Sequence, residues 1–245
     1  MEQSSPQDVE IPQEWLSRLY LSRDMLPFID SLGTTQAIIP LDLDSALDEL
    51  AWESLDEIYR RHRGRGRSTP KTLARQIDFA GKLSSQPRHR ASERSMVLYP
   101  KSGDIMRAAR TQAGGGFVDH SLYWLVAGSA DEAAYLTALL NAPCLERAFA
   151  ESRKSGRDFH QHPWRKVPIP KYNAGDSSHV KLARLCGRAE GVAEAAAAQA
   201  KGKFPAAGRT KLSQVVRQRL AADGILRDTG EIAARLLPDQ AVTSP

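Results

Sequence analysis

GFVDHSLYWLVAGSADEAAYLTALLNAP, residues 116 to 143, changes its rhythm once, and that change decides the fold class. Up to Gly128 the stretch is rich in β-branched and aromatic residues, which suit a pleated, half-buried strand. After Gly128 the apolar positions Ala133, Leu136, Leu139 and Leu140 fall on one helical face. Ser129 stands three residues before Glu132, the spacing of a capping box, while Asn141 and Pro143 end the helix.

Outward from this stretch the same alternation of types continues. SMVLYP (95–100) is a second β-rich run, separated from the first by a turn around Ser102 and Gly103 and by a short helix expected before Gly114 to Gly116. Further back, LDSALDELAWESLDEIYRRH (43–62) places Leu43, Leu47, Leu50 or Ala51, Leu55 and Ile58 near helical spacing, with its acids early and Arg60 and Arg61 late, as the helix dipole favours. The run RRHRGRGRSTP (60–70) ends that helix, and Thr69 is expected to cap a second one that has Pro70 in its first position and extends to about Ser84.

On the C-terminal side a helix is expected from Pro143 to before Gly156, then a loop RDFHQHPWRKVPIP (157–170) that becomes extended between its prolines. SSHVKLARLCGRAEGVAEAAAAQAKG, TKLSQVVRQRLAADG and TGEIAARLLP then read as three helices, the alanine run from Ala195 being helix-favouring composition. The sum is an α/β protein of mixed α+β type, a small sheet flanked by helices with a C-terminal helical region. The expected division is a flexible N-terminus over 1–14, an α/β domain over 15–172 and a helical region over 173–245.

Composition narrows the function classes. No run approaches the roughly 18 apolar residues of a membrane span, and the first 25 residues are acidic and broken by Pro6 and Pro12, unlike a signal peptide, so a cytoplasmic protein without membrane contact is expected. Cys144 and Cys186 stand far apart and outside any C-x-x-C context, so they are expected to be packing residues. Charge is unevenly laid out within a net +5: residues 1–59 hold 2 basic and 13 acidic side chains, residues 60–94 hold 11 and 2, and residues 95–245 hold 21 and 14.

A concentrated positive segment attracts polyanions, nucleic acid above all. The candidate contacts are Arg60, Arg61, Arg63, Arg65, Arg67, Arg75, Lys82, Arg88, Arg90 and Arg94, with Lys101 beyond them. A solvated connector is the competing reading of an arginine-glycine run; the continuation of positive density past it favours binding. A second group, Arg157, His160, His162, Trp164 and Arg165, offers donors and a stacking face on a loop, against which stands packing of Trp164 beneath Pro168 and Pro170. The glycines at 64, 66 and 114–116 do not form a phosphate-cradling motif, the His160 and His162 pair next to Asp158 finds no further clustered metal ligand elsewhere, and nothing marks an activated nucleophile. No catalytic, cofactor-binding or metal-ligating residue is therefore assigned.

Taken together, LYLSRDMLPF, QIDFAGKLSSQ, MVLYPKSGDIMRAA, FVDHSLYWLVAGSADEAAYLTALLNAPCL, SGRDFHQHPWRKVPIPKYN and SSHVKLARL resemble, in order from about Trp15 to Pro238, the C-terminal portion of adenine-N6 DNA methyltransferases of restriction-modification and phage-defence systems. The most specific matches are Tyr123 and Trp124, Glu132, Ala133, Tyr135, Leu136, Leu140-Asn141, Arg157-Asp158 and Pro168-Ile169-Pro170. In those proteins this portion follows the methyltransferase domain and serves target recognition, so the resemblance implies binding to double-stranded DNA. It also implies a missing half: members bind S-adenosylmethionine through an F-x-G-x-G type motif and hold adenine with N-P-P-Y or D-P-P-Y, and neither string occurs here. The nearest string, Asn141-Ala142-Pro143, lacks the second proline and the aromatic. S-adenosylmethionine and catalysis are then expected in a partner subunit or domain. Two alternatives stay open, a protein-interaction subunit of such a complex and the product of a truncated methyltransferase gene.

Overall fold

The computed structural model describes residues 13–30, 35–38, 49–62, 71–77, 94–103, 105–112, 115–151 and 167–237. The chain divides into two compact units, residues 1–19 with 35–87 and residues 20–34 with 88–245. Its class is mixed α+β, with small antiparallel sheets and a helical C-terminal part.

In the first unit a 3-10 turn, Gln13–Trp15, leads into β1 (Leu16–Tyr20), whose last residue already belongs to the second unit. β2 (Gln36–Ile38) runs antiparallel to β1, with Leu16 opposite Ile38 and Arg18 opposite Gln36. α1 (Glu49–His62) sets Trp52 edge-on to the buried Trp15, ring centroids 6.2 Å apart. Of the apolar side expected for this helix, Leu55 is half-buried but Ile58 is exposed, while Leu43 and Leu47 lie outside the described residues. α2 (Leu73–Ile77) starts three residues later than a helix opening on Pro70. Asp56 of α1 explains the start: its Oδ1 accepts the Leu73 N–H at 2.7 Å, satisfying a donor that helix geometry leaves open. Thr69, Pro70 and the expected continuation to Ser84 lie outside the described residues.

The second unit is organised on β3 (Ser95–Pro100), which lies between β4 (Ala109–Gln112) and β6 (Leu122–Val126), antiparallel to both. Leu98 stands opposite Ala109 on one side and Trp124 on the other. Successive side chains of a strand point to opposite faces. Met96 and Leu98 thus pack with Tyr20, Met25, Val118 and Leu122, whereas Val97 and Tyr99 enter the core shared with the helices. A strand buried on both faces needs main-chain partners along both edges. That demand overrides the helix expected before Gly114: Ala109–Gln112, in a stretch whose Met, Arg and Ala favour helix, is instead the edge strand β4. β5 (Phe117–Val118) is a short buried strand entered from a bend at Gly115 and Gly116.

Five helices complete the unit: α3 (Ala130–Leu140), α4 (Pro143–Glu151), α5 (Ser177–Lys203), α6 (Arg209–Ala222) and α7 (Ile225–Leu236). The capping box forms, with Ser129 Oγ accepting the Glu132 N–H at 3.0 Å, while the Glu132 carboxylate reaches back to the Gly128 N–H at 2.6 Å. α5 is about 40 Å long and packs along α3, so the C-terminal helical region shares a core with the elements before it. Small side chains fill much of this core: Ala133, Ala134 and Ala138 on α3 and Ala189, Ala193, Ala196, Ala197 and Ala200 on α5, which also packs on α6 and α7, are all buried. The last helix begins at Ile225 rather than near Thr229, because Gly224, in the left-handed region at φ 75°, turns the chain and delivers Ile225 directly into the core.

Asn141, the C-cap of α3, ties the helices to the sheet. Its side-chain oxygen accepts the Ala108 N–H at 3.1 Å, and its amide hydrogens go to the carbonyls of Ala108 at 2.8 Å and Thr137 at 2.9 Å. Ala108 is fully buried. Replacing Asn141 with alanine should cost about 2 kcal/mol in urea unfolding, since it strands the buried Ala108 N–H while the Ala108 carbonyl keeps the Phe28 N–H. Asn141→Asp keeps the acceptor but turns an ionised oxygen toward two carbonyls, which raises its carboxyl pKa; a raised pKa loses stability as pH climbs, so its deficit against wild type should be smaller at pH 5 than at pH 7. Equal deficits at the two pH values would contradict this hydrogen-bond assignment. In α5, a Cβ added at Gly187 or Gly191 meets nothing within 4 Å. Each glycine-to-alanine change is expected to add about 0.5–1 kcal/mol, or roughly 1–4 °C of melting temperature; a fall would mean that this side of the helix is covered.

Candidate nucleic-acid interface

Arginines bind phosphate best when a rigid element carries their flexible stems, and the first unit supplies two packed helices. Arg60, Arg61 and His62 occupy the exposed last turn of α1, and Lys71 and Arg75 are exposed just before and within α2. The two helices meet at this end: Tyr59 Oη donates to Gln76 Oε1 at 3.3 Å, so the neighbours Arg60 and Arg75 flank one contact. Asp56 joins the arrangement from beneath, capping α2 with one oxygen and pairing Arg60 with the other. Arg61 pairs with Glu57, one turn back. These i, i+4 acids are a feature that counting charges by segment passes over. Arg63, Arg65, Arg67, Lys82, Arg88 and Arg90 lie outside the described residues.

In the second unit Arg94 is exposed immediately before β3, whereas Lys101 follows its other end. A strand of that length separates them by about 20 Å, so they do not form one patch. The Lys101 ammonium sits 4.9 Å from the centre of the Tyr123 ring. Arg157, His160, His162, Trp164 and Arg165 lie outside the described residues, but the segment after them is anchored. Val167 is buried, and the Pro170 carbonyl accepts the Tyr135 hydroxyl at 3.0 Å. Tyr135 stacks in turn with His179, ring centres 4.6 Å apart, and His179 Nδ1 accepts the Asn173 N–H at 3.0 Å. Burial pushes the Tyr135 hydroxyl pKa upward, keeping it a neutral donor. Beside the anchor, Glu132, Leu136 and Leu140 of α3, Leu125 of β6 and residues Ile169–Tyr172 line a mainly apolar cleft of about 180 Å³.

Of the residues that carry the resemblance, Glu132, Leu136, Leu140, Ile169 and Pro170 line this cleft, while Arg157 and Asp158 lie outside the described residues. Asn141 in particular has both amide hydrogens engaged by carbonyls and is 4% exposed, so it has none to offer a base. Both cysteines are buried, as their packing role requires, and burial raises both thiol pKa values. Cys186 donates toward Glu190 at 3.5 Å, and Glu190 holds Arg110 through two bonds of 2.6 and 2.8 Å. That hydrogen bond is the main reason the Arg110 pKa is raised. Among the described residues no group of three or more His, Cys, Asp and Glu side chains could hold a metal ion, and no helix is long and apolar enough to cross a membrane. Sequence reading missed the exposed cations of the helical part: Lys181, Arg184 and Arg188 share a side of α5, and Lys201, Lys203 and Lys211 surround the turn into α6. Compared with models of known protein families and with curated proteins, the chain matches none.

Proposed function

We propose that this chain is a DNA-binding, target-recognition element of an N6-adenine DNA methyltransferase system, and that S-adenosylmethionine and the transfer step belong to a partner subunit or domain. The observation that carries the reading is the Arg60, Arg61 and Arg75 group, exposed on two helices fixed to each other by Asp56 and standing beside an arginine-rich run. Guanidinium groups hold backbone phosphates and so set orientation on a duplex, while base-edge contacts must come from other side chains. The pairing of Arg60 with Asp56 and Arg61 with Glu57 does not oppose this role. The Arg61–Glu57 pair is exposed on both sides and contributes little to stability, so a phosphate can take over that guanidinium, while the Arg60 guanidinium stays exposed above the buried Asp56.

The methyltransferase part of the reading rests on the ordered resemblance from Trp15 to Pro238 and on the absence of both motif strings that would bind cofactor and adenine. The segment with Arg157, His160, His162, Trp164 and Arg165, a loop by its sequence, is the recognition candidate, because side chains that read a target concentrate on loops held by a rigid scaffold. Such a part would grip the DNA flanking a flipped adenine. DNA binding is tested by measuring the affinity of the full chain for duplex DNA across a salt series. Arg60→Gln, Arg61→Gln and Arg75→Gln together should lower the slope of log affinity against log salt by up to about 2.7, at about 0.9 per lost phosphate contact. A wild-type chain that binds no duplex, or a triple variant with unchanged affinity and slope, would overturn the assignment.

A further inference from the structure

Between Glu194 and Asp223 the chain has no acidic residue and six basic ones, Lys201, Lys203, Arg209, Lys211, Arg217 and Arg219. Two of the arginines are tied to other elements, Arg209 donating to the Ser22 carbonyl at 3.2 Å and Arg217 to Glu146 at 2.6 Å, while the exposed Arg219 pairs with Asp223 one turn on at 3.2 Å. The three lysines are exposed and bracket the turn between α5 and α6. Phe204 sits in that turn, 43% exposed, the most exposed large apolar side chain among the described residues. Its ring is approached by the ammonium groups of Lys203, at 5.7 Å from the centre, and Lys211, at 5.9 Å. The backbone beneath the ring is fixed, with Phe204 N–H donating to Ala200 O at 2.8 Å and Phe204 O accepting from Ala207 N–H at 2.9 Å.

An aromatic ring held out on a rigid turn among cations combines two features that nucleic acid answers together. Phosphates match the lysines, and a base offers the ring a flat partner, which sequence-independent strand binders use at every nucleotide. An anionic membrane answers the charge, but interfacial binding draws on a wide apolar face, and around Phe204 the turn offers only Pro205, Ala206 and Ala207.

We propose that the α5–α6 turn is a second nucleic-acid contact, in which Lys201, Lys203 and Lys211 hold the phosphates of a strand while Phe204 stacks on an unpaired base. This contact is separate from the Arg60, Arg61 and Arg75 group and does not depend on any link to methyl transfer. The test uses the full chain with a labelled single-stranded oligonucleotide, a blunt duplex of the same sequence, and vesicles containing phosphatidylserine. Phe204→Ala and Phe204→Leu should each weaken single-strand binding about tenfold, with duplex affinity changed less than twofold. Lys203→Ala with Lys211→Ala should lower the single-strand salt slope by about 1.4. Unaltered melting temperatures would assign these losses to contact, and the leucine variant separates loss of the flat ring from loss of apolar bulk. Wild-type single-strand affinity in both Phe204 variants overturns the proposal while leaving duplex binding through α1 and α2 intact; so does vesicle binding that depends on Phe204 in a chain that ignores the oligonucleotide. An unchanged duplex affinity and salt slope in the arginine triple variant, with the Phe204 effect preserved, would fail the duplex reading and keep this one.

Discussion

One amide side chain carries the join between sheet and helices in the larger unit. Asn141 completes both hydrogen-bonding groups of Ala108 and closes the last turn of α3 with its remaining hydrogen. The Ala108 carbonyl also receives the Phe28 N–H at 3.0 Å, at a residue held at a φ of 65° where a side chain is strained. The start of β4, the end of α3 and the Leu26–Ile29 turn are therefore fixed through two residues. Because α5 packs along α3, whatever holds α3 also sets the helical layer that presents the lysines of the α5–α6 turn.

Much of this architecture was legible in the sequence where local signals and tertiary demand agree. SMVLYP is β3 from its first residue to its last, and the Ser129–Glu132 capping box opens α3 where the spacing puts it. Disagreement arose where long-range contacts outweigh local preference. The stretch that becomes β4 has helix-favouring composition, and only the open edge of β3 makes it a strand. The alanine run reads as composition alone, yet its period sorts Ala196, Ala197 and Ala200 into the interface and leaves Ala195 and Ala198 exposed.

The candidate binding residues were legible as charge and not as geometry. Segment counts find Arg60, Arg61 and Arg75, but the acids one turn back and the capping role of Asp56 depend on how two helices meet. The positive turn around Phe204 is diluted when charge is counted over residues 95–245, 21 basic against 14 acidic side chains, and it is the fold that brings the Lys203 and Lys211 ammonium groups to the Phe204 ring. Near-matches to motifs behave similarly: Asn141-Ala142-Pro143 resembles part of an adenine-holding string, and its asparagine is committed to holding the scaffold.

The account as a whole treats the chain as a DNA-gripping part whose chemistry is supplied by a partner. The direct measurement is methyl transfer from S-adenosylmethionine to DNA, read as N6-methyladenine by mass spectrometry, for the full chain alone and for the complex recovered with it from its native cells. The account predicts transfer by the complex and none by the chain. Transfer by the isolated chain, or a recovered complex that binds DNA and never methylates it, would contradict it.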